Sequence, residues 1–198
     1  GLFNQGSNEL FDHDLNVYLL QALSFNVPPQ TPFSIKPDSV GFLIYSDYIG
    51  PGIYDASAGS GIVNYYSTDL PNNDNYCLYW HGYSQYNTIG FDFSPDRDFT
   101  KLVAEGFAID FMVRGKLAGI KFDLRFLDTK STDPEDHPWR KGITIDETDV
   151  SWDRKWHHVF IPLTEFTDQG AWDRAWYSPI GAYDWTAIDR FEIVVEHH

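Results

Sequence analysis

Cysteine is almost missing from this chain of 198 residues: one is present, Cys77, within "YCLYWH". A lone cysteine makes no internal disulfide and has no partner thiolate for a zinc or redox motif, so Cys77 is expected to be a buried, inert thiol. Cations are also scarce, with 14 Lys and Arg against 29 Asp and Glu, and the formal charge is −15. Such a surface repels phosphate backbones and anionic lipids, which argues against nucleic-acid and membrane partners and suits a neutral or cationic ligand. No apolar run approaches the roughly 18 residues that a spanning helix needs. No signal peptide is visible, and the abrupt start reads as that of a fragment. Neither G-x-S-x-G, G-x-x-x-x-G-K-[ST] nor G-x-G-x-x-G occurs, so nucleophile-elbow and phosphate-cradle chemistry have no motif here. With so many acids, carboxylate pairs of the kind glycoside hydrolysis uses are trivially abundant and point nowhere.

Aromatic residues, by contrast, are plentiful, at 17% of the chain with seven Trp. They either fill a β core or stack on flat ligands, and their positions separate the two uses.

Along the chain, residues 12–25, "DHDLNVYLLQALSF", place Leu15, Leu19, Ala22 and Leu23 on one helical stripe, stopped by Pro28 and Pro29. The stripe predicts an amphipathic helix that must dock on another domain or chain. Residues 26–39 carry four prolines and read as a semi-rigid linker. The segments are therefore 1–26, 27–39 and 40–198.

From residue 40 onward the pattern is one of short strands: 41–45, 62–66, 76–81, 88–93, 107–114, 119–128, 139–145, 156–162 and 190–196, with a short helix over 96–106. In 119–128, Ile120, Phe122, Leu124 and Phe126 alternate with Lys121, Asp123 and Arg125, the period of a sheet packed on one face. About nine such strands predict an all-β, antiparallel β-sandwich of jelly-roll type.

The informative aromatics stand among Gly, Pro and charges. "DTKSTDPEDHPWRKG" holds Trp139 and Arg140; "TDQGAWDRAWYSPIGAYDW" holds Trp172, Trp176, Tyr177, Tyr183 and Trp185. Loop rings beside Asp and Arg suit a glycan, whose C–H faces stack while its hydroxyls hydrogen-bond. The alternative is that these rings plug loops onto the ends of the sandwich. Arg125 and Asp123 either line a cleft or form salt bridges. His157 and His158, being adjacent, face opposite ways. Asp47, Asp55 and "DPED" (133–136) offer the loop oxygens calcium takes, without EF-hand spacing; a structural calcium is compatible with them, no cofactor is required, and no ligand set is assigned.

Two resemblances carry this further. Residues 1–30 resemble the last loop and helix of a family 5 glycoside hydrolase barrel, as in endoglucanases (cellulases) of gut or rumen Bacteroidetes. "FDLRFLDTK", "DPEDHPWR", "WHHVFIPLTEF" and "DWTAIDRFEIVVEHH" resemble a carbohydrate-binding-module-like sandwich of the galactose-binding-like group, akin to family 11 modules. The resemblance implies a non-catalytic module that binds neutral β-glucan such as cellulose, mixed-linkage glucan or xyloglucan. It also implies a covalently linked upstream catalytic domain and a secreted, periplasmic or cell-surface location. Trp139, Arg140, Trp172, Trp176, Tyr177, Arg125 and Asp123 are the expected contacts. The alternative is an accessory domain that packs on the barrel and binds no sugar. Similar domains continue past "EHH" into a further strand, so either the sequence is cut short here or the sandwich has one unpaired edge.

Overall fold

A computed structural model of the chain describes residues 37–196 except 70, 73 and 117, all within the compact unit Ile35–His198. The expected helix at 12–25, and the linker as far as residue 36, lie outside the described residues.

Three short antiparallel groupings make the sandwich. The largest is a seven-stranded sheet. Its members are β1 (Ile53–Asp55), β4 (Thr88–Arg97), β6 (Phe122–Asp128), β7 (Trp139–Ile145), β9 (Thr167–Trp172), β10 (Trp176–Tyr177) and β11 (Ile188–Val194). They are ordered β1-β4-β11-β6-β7-β9-β10. β2 (Ile62–Ser67) pairs with β3 (Cys77–His81), and β5 (Ala108–Val113) pairs with β8 (His157–Pro162). A short helix, α1 (Thr100–Ala104), and a 3-10 turn (Leu163–Glu165) complete the described elements.

The core lies on one face of the large sheet. Phe91, Phe191 and Phe126 face one another across β4, β11 and β6, and Ile89, Ile193 and Leu124 form the next row. Phe126 is the hub: its ring lies 5.0 Å from Phe191, 5.1 Å from Phe166, 5.5 Å from Trp185 and 5.7 Å from Phe99. The two strand pairs cover this face with Val63, Tyr65, Ile109, Phe111, Val159 and Ile161. Alternation does the sorting. In β5, Asp110 and Met112 stay exposed while Ile109 and Phe111 turn inward.

Several expectations are corrected. Residues 41–45 form no strand, only a bridge from Tyr45 to Ile49. The helix at 96–106 shrinks to Thr100–Ala104, because β4 runs on to Arg97. The carboxyl-terminal strand leaves no unpaired edge: β11 sits between β4 and β6, and the edges of its sheet are β1 and β10. Cys77 is half-buried rather than buried, with its Sγ 3.8 Å from the Asp69 carbonyl oxygen.

Truncation at the hub should cost most. Phe126→Ala is expected to destabilise the domain by about 3–5 kcal/mol, a loss of transfer energy plus a cavity. Met112→Ala, on the exposed side of β5, should stay within about 0.5 kcal/mol. Chemical denaturation of both variants checks the contrast.

Candidate functional site

The candidate site lies on the face of the large sheet turned away from the core. One row crosses it: Tyr54, Asp92, Arg190, Leu127, Arg140 and Gly170 are consecutive partners through β1, β4, β11, β6, β7 and β9. At about 4.8 Å per strand, these six positions span about 24 Å. Tyr54, 61% exposed, stands at one end of the row.

The other end is built by a hairpin that the sequence pattern hid. β9 and β10 are joined by Asp173, Arg174 and Ala175, with Arg174 in the left-handed region and the Asp173 N–H donating to the Ala175 carbonyl at 3.0 Å. Trp172 and Trp176 are direct cross-strand partners and so share a face. They are 62% and 50% exposed.

Gly170 makes room for Trp176. Its φ of +82° suits glycine, and a Cβ there would lie 2.9 Å from Trp176 Cζ2 and 2.3 Å from the Tyr177 carbonyl oxygen. Arg140 holds the same indole from below, its Cζ 4.8 Å from the ring centroid. Burial and the neighbouring Arg125 guanidinium push the Arg140 pKa down to about 10, so it remains charged at neutral pH.

The remaining expected contacts divide. Tyr177 is 38% exposed but stacks one ring face on His137, with centroids 3.5 Å apart. His137 Nδ1 lies 3.2 Å from Asp173 Oδ2, which Lys130 also contacts, and so ties the hairpin to the preceding loop. Trp139 faces the interior of the sheet, is 4% exposed and donates its indole N–H to Asp136 at 3.1 Å; it has no ring face free for stacking. Arg125 and Asp123 are buried as an ion pair at 3.2 Å, with Glu196 also on Arg125. The expected solvent-facing side of β6 is therefore closed at these two residues. Glu192 and Gly142 flank Arg125 on either side, and Gln169 folds over Gly142, 2.3 Å from where a Cβ would sit. Tyr183 and Trp185 plug their loop onto the core, as the alternative reading of the loop aromatics has it.

Carboxylates named as loop oxygens are taken up locally. Asp47 accepts from Asn75 and the Tyr76 N–H, Asp55 from Ser57 and Tyr65, and Asp133 and Asp136 from N–H groups of their own loop. Among the described residues, no group of three or more His, Cys, Asp or Glu is placed to hold a metal ion.

An antiparallel sandwich with one sheet face open, carrying rings at both ends and charged side chains between them, fits a carbohydrate-binding module. Residues 63–197 match the family described as carbohydrate binding domain 30, and the chain belongs to that family. Neither a curated protein nor a solved structure matches it.

Asp128, beside the row at the end of β6, yields a pH test. Burial pushes its carboxyl pKa up to about 7, although the Asp184 and Trp139 backbone N–H groups favour the ionised form. The folded state thus holds a proton that the unfolded chain has released. This stabilisation is complete below about pH 4 and is lost as pH rises through about 7. Asp128→Asn should raise the unfolding midpoint at pH 8 by a few kcal/mol equivalent, at about 1.4 kcal/mol per pKa unit, and leave it little changed at pH 4. Thermal melts at both values check this.

Proposed function

We propose that this module binds a single chain of neutral β-glucan, such as cellulose, mixed-linkage glucan or xyloglucan, laid across the strands of the large sheet. The observation that carries the reading is the row from Tyr54 to Gly170, where Trp176 lies over the glycine. It has a ring at each end, and Asp92, Arg190 and Arg140 lie between. Its span of about 24 Å is roughly that of five linked pyranoses. Pyranose C–H faces stack on indole and phenol rings, and hydroxyls pair with the charged groups.

Charge supports the same class of ligand. At −15, the chain would repel an acidic polymer, whereas a neutral one meets no such barrier. The work of the site is binding. We further propose that the module serves a family 5 hydrolase joined upstream, of the Bacteroidetes endoglucanase kind, outside the cytoplasm. That reading is supported by the resemblance of residues 1–30.

Arg140, Trp172 and Trp176 are the contacts retained from the sequence, with Tyr177 at the rim and Tyr54 added. Trp139, Arg125 and Asp123 act from beneath, as packing and charge support.

The paired substitution Trp172→Ala and Trp176→Ala should weaken binding to a soluble β-glucan at least tenfold, which is about 1.4 kcal/mol. Because both rings are exposed, the unfolding midpoint should move little. Affinity electrophoresis and calorimetry provide the readout. Unchanged retention of the variant, or no binding of the native chain to any plant polysaccharide, would sink the proposal, the latter favouring an accessory domain that packs on the barrel.

A further inference from the structure

A second group of rings, two exposed and one half-buried, lies away from that sheet face, where the β2–β3 pair meets the loop before β1. Tyr48 comes from the loop, Tyr66 from β2, and Tyr76 from the residue before β3. Their centroids are 6.0, 6.2 and 5.8 Å apart, with interplanar angles of 55°, 72° and 86°. Tyr48 is 63% exposed and Tyr66 56%, so neither is held by the core. Its neighbour Tyr65 is different: that ring turns inward against Phe91, and its hydroxyl donates to Asp55 at 2.7 Å.

The base of the group is built rather than loose. The Asp47 carboxylate accepts the Asn75 side-chain amide and the Tyr76 backbone N–H, each at 2.8 Å, and these bonds hold its pKa below the usual carboxylate range. Asp47 thereby pins Tyr76 beside the other two rings. Tilted rings do not offer the flat apolar plate on which another protein's core would close. They pack tilted or edge to face on one another, with the Asp47 carboxylate and the Asn75 amide beside them. Asp47 and Asp74 give this group a negative sign, opposed to phosphate and to acidic polymers. A pyranose meets every one of these terms: C–H faces for the rings, hydroxyls for Asp47 and Asn75, and no charge.

We infer that Tyr48, Tyr66 and Tyr76, with Asp47 and Asn75, form a second glycan-binding site, which gives the module two attachment points for one neutral polysaccharide. The inference rests on the family's ligand class and not on the Trp172–Trp176 reading. Two sites on one chain should multiply retention on a polymer without changing how a short sugar fills either site.

The test uses the full chain with a soluble mixed-linkage β-glucan as polymer and a β-1,4-linked glucose hexamer as short probe. Three variants are compared: Tyr48→Ala with Tyr66→Ala, Trp172→Ala with Trp176→Ala, and all four. The tyrosine pair should lower polymer retention at least tenfold. The tryptophan pair should still bind the hexamer, and hexamer addition should then perturb the tyrosine emission. The native chain should cross-link the polymer and scatter light, and either pair of substitutions should abolish that. Should the double alanine variant fold poorly, Tyr48→Ala alone, in the exposed loop before β1, is expected to lower polymer retention several-fold, and unchanged retention of that folded variant overturns the inference. The inference is overturned if the tyrosine pair leaves polymer retention and scattering unchanged, or if the tryptophan pair removes all hexamer binding. If the tryptophan pair changes nothing while the tyrosine pair removes binding, the sheet-face proposal fails and the tyrosine site stands. Retention of an unrelated protein in place of either glucan would mark the ring group as a protein-docking surface and overturn it too.

Discussion

The insertion of β11 between β4 and β6 fixes both faces of the large sheet. Its inward residues, Phe191 and Ile193, meet Phe91 and Phe126, and Ile89 and Leu124. Once those rows are buried, period-two alternation leaves no choice for the residues between them. Arg190 must lie beside Asp92 and Leu127, and Glu192 beside Gly90 and Arg125. The polar row that crosses the open face is thus a consequence of the aromatic row beneath it. A one-residue slip would exchange the two.

The same face shows how burial and charge are balanced. Arg125 and Asp123 are 4% and 3% exposed, in the middle of a face that is polar elsewhere. Burying two ions is costly unless each is paired, and here Asp123 also accepts the Thr144 hydroxyl at 2.7 Å. Arg140, one strand over, presses its guanidinium on Trp176. The exposed indole therefore rests on a supported charge and on a glycine that lets it lie close to the backbone. The hairpin owes its pose to residues on other strands.

Much of the fold was legible in the sequence. β5, β6, β7, β8 and β11 announce themselves by alternating apolar residues, and the expected bounds agree within two residues except at the start of β6, which begins three residues later than expected, at Phe122. β1 and β10 were not, because three and two residues are too few to show a period. β9 has no visible period because "TDQGAW" contains three polar residues and a glycine at a bulge, where Arg140 pairs with Gly170 and Lys141 with Asp168. Tyr54 went unnoticed for the same reason: its strand is short, and nothing in "GIYD" says which face the ring takes.

Composition alone argued against anionic polymers, since a net charge of −15 disfavours them however the chain folds. The sequence also marked the aromatic loop segments as unusual. Only the tertiary structure sorted them. Trp172 and Trp176 stand outward because they oppose each other on a hairpin. Trp139 turns inward opposite Ala171, and Trp185 packs against Phe99 and Phe126. Side-chain chemistry is written along the chain, but exposure depends on which strand lies alongside, and those partners come from positions distant in the sequence.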